Sequence, residues 1–160
     1  SEPHREELVK EAATMALYVA ICLLAALTVA SHDTFEHRRS VVAVVWGTTL
    51  GLALAHWFAF RLSSRLVASG SVRRSDAELA VAQLVGSIAI AAVATIPVLL
   101  VDGEAQLDAT RWVVAGCIAI VGFGVARSSG ASIVRSVLYG SATLIVASVV
   151  VLLKNSLSGH

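Results

Sequence analysis

Five long apolar stretches, at about 12–31, 41–60, 79–101, 112–126 and 133–153, take up most of this 160-residue chain. Apart from Arg135 near the start of the last, they hold no Lys, Arg, Asp or Glu. A helix of a water-soluble domain needs a polar outer face, and these stretches have none. Hydrocarbon offers the backbone no water, so a spanning segment is a helix or part of a closed barrel. Barrel strands would be ~10-residue segments of alternating polarity, whereas these runs are continuously apolar and rich in Ala, Leu and Val. Runs of ~18 apolar residues or more read as spanning helices. The expected fold is an all-α membrane protein, a bundle of about five transmembrane helices. The expected helices are 12–31, 41–66, 77–101, 111–127 and 131–153, in a single transmembrane domain over 1–160.

The bulk numbers agree with that class. Apolar residues make up 57% of the chain and charged residues 14%, against roughly 45–50% and 25% in soluble proteins. The net charge of +1 gives no basic patch for nucleic acid, so no nucleic-acid partner is expected. Ten of the twelve basic residues are Arg, a skew that reads as a GC-rich bacterial genome. Cys22 and Cys117 both fall inside predicted helices, too far apart for a redox pair, and are expected to act as small hydrophobes. The start mixes acids and bases ahead of a run of spanning length, unlike a signal peptide, so the first helix is expected to stay as an anchor. Residues 4–13 read as a short interfacial helix running into it, with Pro3 and the nearby acids suited to a helix start.

Loop charges set an orientation. With the N-terminus cytoplasmic, the inside segments hold Arg5, Lys10, Arg61, Arg65, Arg73, Arg74, Arg127 and Arg135, and the outside segments Arg38, Arg39, Arg111 and Lys154. Eight against four favours N-in and C-out. The multi-pass protein would then lie in the cell (inner or plasma) membrane. The fourth span is the weak one. Only 15 residues separate Arg111 from Arg127, about 22 Å of helix against a hydrocarbon core of about 30 Å. Ser128, Ser129 and Gly130 suit a tight hairpin after it, so a full span is favoured over a re-entrant one. The segment 61–78 is the only sizeable soluble connection. The second helix is expected to overrun to about Val67, and Ser75 with Glu78 forms a capping-box pattern for the third. Arg61, Arg65, Arg73 and Arg74 are candidate contacts for anionic lipid headgroups, beside their ordinary role in setting topology.

His56 is the leading candidate for chemistry, because an ionisable group within a span is costly and points to function. At helical spacing it shares a face with Trp46, Thr49, Ala53 and Phe60, which could line a pore or cleft. Imidazole can also relay protons. The plainer reading places His56 at the membrane interface, with Trp57 and Phe58 in an aromatic belt. Gln83, Ser87, Ala91 and Thr95 form a polar stripe on the third helix, a second candidate lining or a set of interhelical hydrogen bonds. Thr49, His56, Gln83 and Ser87 are therefore the candidate pore or cleft residues. Gly47 and Gly51 form a GxxxG pair on the other face of the second helix, and Gly140 lies on a small-residue face of the fifth. These are candidate packing positions, within a protomer or between protomers.

Other chemistry finds little support. His32, Asp33, Glu36 and His37 include zinc-type ligands, but one turn cannot aim all four at one point and Arg38 and Arg39 repel a cation. A solvated loop is expected there, and no metal or cofactor. HExxH and GxSxG motifs are absent from the chain, as are an intramembrane Lys, paired intramembrane His and a regular Arg repeat. An enzyme is not expected.

The stretch 47–59, with Gly47, Gly51, His56, Trp57 and Phe58, resembles a helix of a family of small, uncharacterised bacterial multi-pass membrane proteins. The resemblance covers about one helix. It implies no activity or cofactor, only that Gly47, Gly51 and His56 belong to one surface.

Two functional expectations follow. One is an oligomeric channel or permease for an ion or small solute, with Thr49, His56 and Gln83 near a path that forms between subunits. The other is a non-transporting scaffold or accessory subunit, suggested by the scarcity of intramembrane acids and the many small packing faces. The partners expected are the lipid bilayer and either further copies of the chain or another membrane protein.

Overall fold

A computed structural model describes residues 2–29, 38–67, 74–103 and 105–158. Five helices account for nearly all of them: α1 (Glu2–Val29), α2 (Arg38–Val67), α3 (Arg74–Leu100), α4 (Ala105–Ser128) and α5 (Ile133–Ser158). All five are long and apolar enough to cross a membrane. The fold is that of a multi-pass membrane protein.

The helices run up and down. Glu11 of α1 meets Gln83 of α3 near the starts of both helices. Trp46, early in α2, meets Thr95, late in α3. Arg111, early in α4, meets Leu27 at the end of α1. The bundle thus has a near end, holding the starts of α1, α3 and α5, and a far end, holding the starts of α2 and α4. α1 is the central mast and packs on the other four helices, while α2 packs mainly on α1 and α3. Val19, Ala20, Leu23 and Leu27 of α1 are all fully buried, so the axis of the bundle is apolar.

Glycine sets two of the crossings. A Cβ on Gly86 would fall onto the backbone carbonyl of Ala12, so α3 rests directly against α1. Gly122 of α4 and Gly140 of α5 face each other, and a Cβ on Gly140 would come within 2.7 Å of the Ala119 carbonyl oxygen. Without hydrocarbon-excluding water to press helices together, backbone approach of this kind supplies the packing.

The helix ends differ from the expected bounds in an instructive way. α1 continues unbroken from Glu2, with residues 4–13 as its first turns. α2 overruns to Val67. α4 starts at Ala105, well before Arg111, and its 24 residues give about 36 Å of helix, enough to span. The polar groups that seemed to shorten α4 are absorbed. Arg111 donates through Nε and Nη2 to the Leu27 carbonyl at 2.9 and 2.6 Å and through Nη1 to Asp108 at 2.8 Å. Leu27 lies in the last turn of α1, where carbonyls lack intrahelical partners and the helix dipole favours a cation. Gln106 likewise donates to the Val98 carbonyl near the end of α3, at 2.7 Å.

The α4–α5 hairpin closes with a Schellman motif. Ala131 N–H bonds the Ala126 carbonyl and Gly130 N–H bonds that of Arg127, with Gly130 at φ 77°. That left-handed geometry suits glycine. Ser132 then accepts from the Arg135 N–H as the cap of α5.

Candidate functional site

Most hydroxyls in the spans are satisfied locally. Thr49 donates to the Val45 carbonyl, Ser87 to that of Gln83, Thr110 to Gln106 and Ser136 to Ser132. Each is a bond to the carbonyl four residues back, so these groups need no partner on another helix. Among the described residues, several polar side chains that reach across helices frame one region.

That region is a cavity of about 460 Å³ walled by α1, α2 and α3. His56, Trp57 and Arg61 contribute from α2, and Gln83, Leu84 and Ser87 from α3, with Met15 of α1 behind them. It reaches along α2 from Arg61 to Leu50, eleven residue steps or about 17 Å. It therefore occupies the near half of the bundle only. Beyond it the α2–α3 seam shuts. Thr49 and Ala91 are buried there, and the Trp46 indole N–H donates to Thr95 Oγ1 at 3.1 Å. Thr95 in turn donates to the Ala91 carbonyl at 2.7 Å.

Two pairs tie α1 to α3 beside the cavity. Gln83 Nε2 donates to Glu11 Oε2 at 2.7 Å. His4 Nε2 and Glu78 Oε2 lie 2.6 Å apart, both part-exposed. The Arg61 guanidinium stacks over the Trp57 ring, 4.9 Å from its centroid, which holds its charge at the near-end rim of the cavity. Leu50, Leu54, Trp57, Val81 and Leu84 are exposed on the outer side of the bundle, so the cavity opens laterally between α2 and α3.

Of the candidate lining residues, His56, Gln83 and Ser87 come together in this cavity. Thr49 does not line it, being 1% exposed and packed one turn deeper in the seam. Gly140 lies in the α4–α5 contact, whereas a Cβ on Gly47 or Gly51 would meet no atom within 4 Å. At 100° per residue they lie roughly 120° around α2 from the cavity-lining face. Arg61 lies at the rim; Arg73 falls outside the described residues, as do the side chains of Arg65, Arg74 and Ser75. The His32–His37 loop is outside them too. Among the described residues no group of three His, Cys, Asp or Glu is placed to hold a metal. Sequence reading missed Glu11 as the partner of Gln83, Arg111 as the cap of α1, and Gly86 and Gly122 as contact points. Glu11 carried a signal: as a carboxylate one residue before the first apolar run, it sits at the depth of Gln83 if α1 and α3 are parallel.

No protein-family model matches the chain, and comparison with curated proteins and with solved structures likewise finds no match.

Proposed function

We propose that the protein is a small permease or channel of the cell membrane, with its N-terminus cytoplasmic, its C-terminus outside and the α2–α3 seam as its path. The observation that carries this reading is a half-depth cavity holding His56, Gln83 and Ser87 and stopped at its far end by the Trp46–Thr95 hydrogen bond. A conduit at rest has this form: a cavity along half its length and a seam closed by packed residues and one polar contact along the rest. That contact is weak enough to break, since interhelical hydrogen bonds in membranes average about 0.6 kcal/mol. α2 is also free to move, because it packs mainly on two neighbours while α1 is held on all sides. In this reading His56 and Gln83 contact the solute and Trp46 with Thr95 forms the gate.

The test is flux across proteoliposomes, wild type beside His56→Ala and Gln83→Ala. Flux above empty vesicles that changes in either variant supports the conduit. Absence of flux over a panel of cations, anions, protons and small organic solutes, from protein shown to be folded, refutes it.

A second reading, a non-transporting membrane scaffold, is favoured by one observation. Gly47 and Gly51 lie on an exposed face of α2 with nothing near them, as a helix reserved for another chain would. Loss of oligomer or of a co-purifying partner in Gly47→Leu, with flux absent throughout, supports that reading over the first.

A further inference from the structure

We infer that Glu11 sets the specificity of the cavity: by holding the Gln83 amide through its N–H, it makes the α3 wall a hydrogen-bond acceptor and selects an uncharged solute that donates, such as a primary amide. The inference rests on the reading of this cavity as the solute site, and names the solute class and the residue that selects it.

A side-chain amide has a donor end and an acceptor end, and its surroundings decide which end faces where. Glu11, as a carboxylate, only accepts. The end of the Gln83 amide that meets it is therefore Nε2, which donates to Glu11 Oε2 at 2.7 Å. Gln83 lines the cavity and Glu11 does not, so the arm of the amide left to the cavity is Oε1. Among the described residues Oε1 accepts no hydrogen bond. Ser87, four residues on, lines the same wall, and its hydroxyl proton is committed to the Gln83 main-chain carbonyl at 2.9 Å. Both polar groups of the α3 wall thus hold donors on the protein and keep acceptor oxygens to spare. The bond to Glu11 also strengthens the Gln83 acceptor, because linked hydrogen bonds polarise one another.

Charged solutes fit this wall poorly. An anion would meet acceptor oxygens with a carboxylate behind them. A cation would find no carboxylate among the lining residues. Leu50, Leu54, Val81 and Leu84, which make up much of the remaining wall, cannot replace the water that a charge gives up. The solute that fits is neutral, with N–H or O–H groups on one side and apolar surface on the other. The volume of about 460 Å³ is in the range of ligand pockets, roughly 300–1,000 Å³.

Trp57 lines the cavity and reports on it. The chain has three tryptophans, so Trp46→Phe with Trp112→Phe leaves Trp57 alone. Quenching of this parent protein in phosphatidylcholine nanodiscs is titrated with para-nitrobenzamide and with its N,N-dimethyl derivative, each corrected for partition into empty nanodiscs. The two probes share the quenching ring and the carbonyl, and only the first has N–H groups. The primary amide is expected to bind about fivefold tighter, the net worth of one hydrogen bond. Glu11→Lys faces Gln83 with a donor, so the amide turns its oxygen to α1 and its N–H to the cavity. The two probes should then bind equally or in reverse order. Glu11→Gln, the milder change, no longer fixes the amide and should weaken the preference.

Equal binding of both probes by the parent protein overturns the inference. So does a preference that stands undiminished in Glu11→Gln or in folded Glu11→Lys. A fall in both affinities by the same factor leaves that preference undiminished, and is what a merely structural role for Glu11 would give. Flux is not the readout: selective binding without transport would keep this inference and remove the conduit, and solute flux with no preference between the probes would do the reverse.

Discussion

Replacing glycines by alanine one at a time separates true helix contacts from open faces. At Gly86 the new methyl falls onto the Ala12 backbone carbonyl. Main chain cannot rotate aside, so α3 must move off α1. At Gly140 the obstacle is again a backbone oxygen, that of Ala119 at 2.7 Å. At Gly122 the first atom met is Thr143 Oγ1 at 2.6 Å, part of a side chain that can turn. At Gly47 and Gly51 nothing lies within 4 Å. Overpacking costs about 1–3 kcal/mol, and alanine returns up to about 1 kcal/mol of helix propensity over glycine. Gly86→Ala and Gly140→Ala should therefore lose about 1–2 kcal/mol, with Gly122→Ala between them and neutrality. Gly47→Ala and Gly51→Ala should be neutral or gain up to about 1 kcal/mol in the isolated protomer. The contrast between Gly86→Ala and Gly47→Ala is then about 1–3 kcal/mol, roughly 5- to 150-fold in the unfolding constant. Reversible unfolding in mixed micelles, at dilutions where the protein is monomeric, measures it. Equal effects at Gly86 and Gly47 would refute the close approach of α3 to α1.

Other substitutions test other joints. Arg111→Met keeps the apolar stem but strips both hydrogen bonds from the Leu27 carbonyl; the orphaned acceptor should cost about 1–3 kcal/mol in the same assay. Asp108→Asn should cost under about 1 kcal/mol, because the carboxylate is 54% exposed and such pairs contribute little. Thr95→Val removes the acceptor of the Trp46 N–H; about 0.6–1.7 kcal/mol of stability should go, and Trp46 emission should shift in a background with Trp57→Phe and Trp112→Phe. An unchanged spectrum would show that the indole is not bonded there. Gly130→Ala forces a side chain to φ 77° and should cost about 1–2 kcal/mol, read as a lower unfolding midpoint.

How much of this was legible in the sequence depends on the kind of interaction. The five spans follow from solvation alone, since an uncharged run of that length has one stable home, and they could be read directly. The hairpin at Ser129 and Gly130 was readable too, because its chemistry is local. Long-range pairs were not. Arg111 looked like a boundary charge that left the fourth span too short; it bonds a carbonyl 84 residues away, and no periodicity in the chain encodes that. Gly47 and Gly51 match a packing pattern, while Gly86, with no glycine four residues away, makes the tightest approach. A GxxxG pattern records that a face is smooth, and only the neighbouring helix decides whether it is used. The stripe Gln83, Ser87, Ala91 and Thr95 was visible by spacing. Its split into a cavity-lining half and a bonded half was not, because Trp46 supplies the bond from α2.

That split separates two kinds of polar group within the bundle. At the far end polar side chains serve backbone ends: Arg111 caps α1 and Gln106 caps α3. Such groups are committed, since releasing either exposes an unsatisfied carbonyl where water is scarce. Around the near-end cavity the polar groups are spent differently, although Ser132 at the same end caps α5. Gln83 pairs with a side chain, Arg61 lies over an indole, and His56 lines a cavity without holding up any helix end. A ligand arriving there competes with side-chain contacts of modest strength, so those groups can exchange partners at small cost while the far end keeps the helices in register. In the α1–α2–α3 sector, groups bound to helix ends and groups bound to side chains are thus separated along the axis, with the Trp46–Thr95 bond at the boundary.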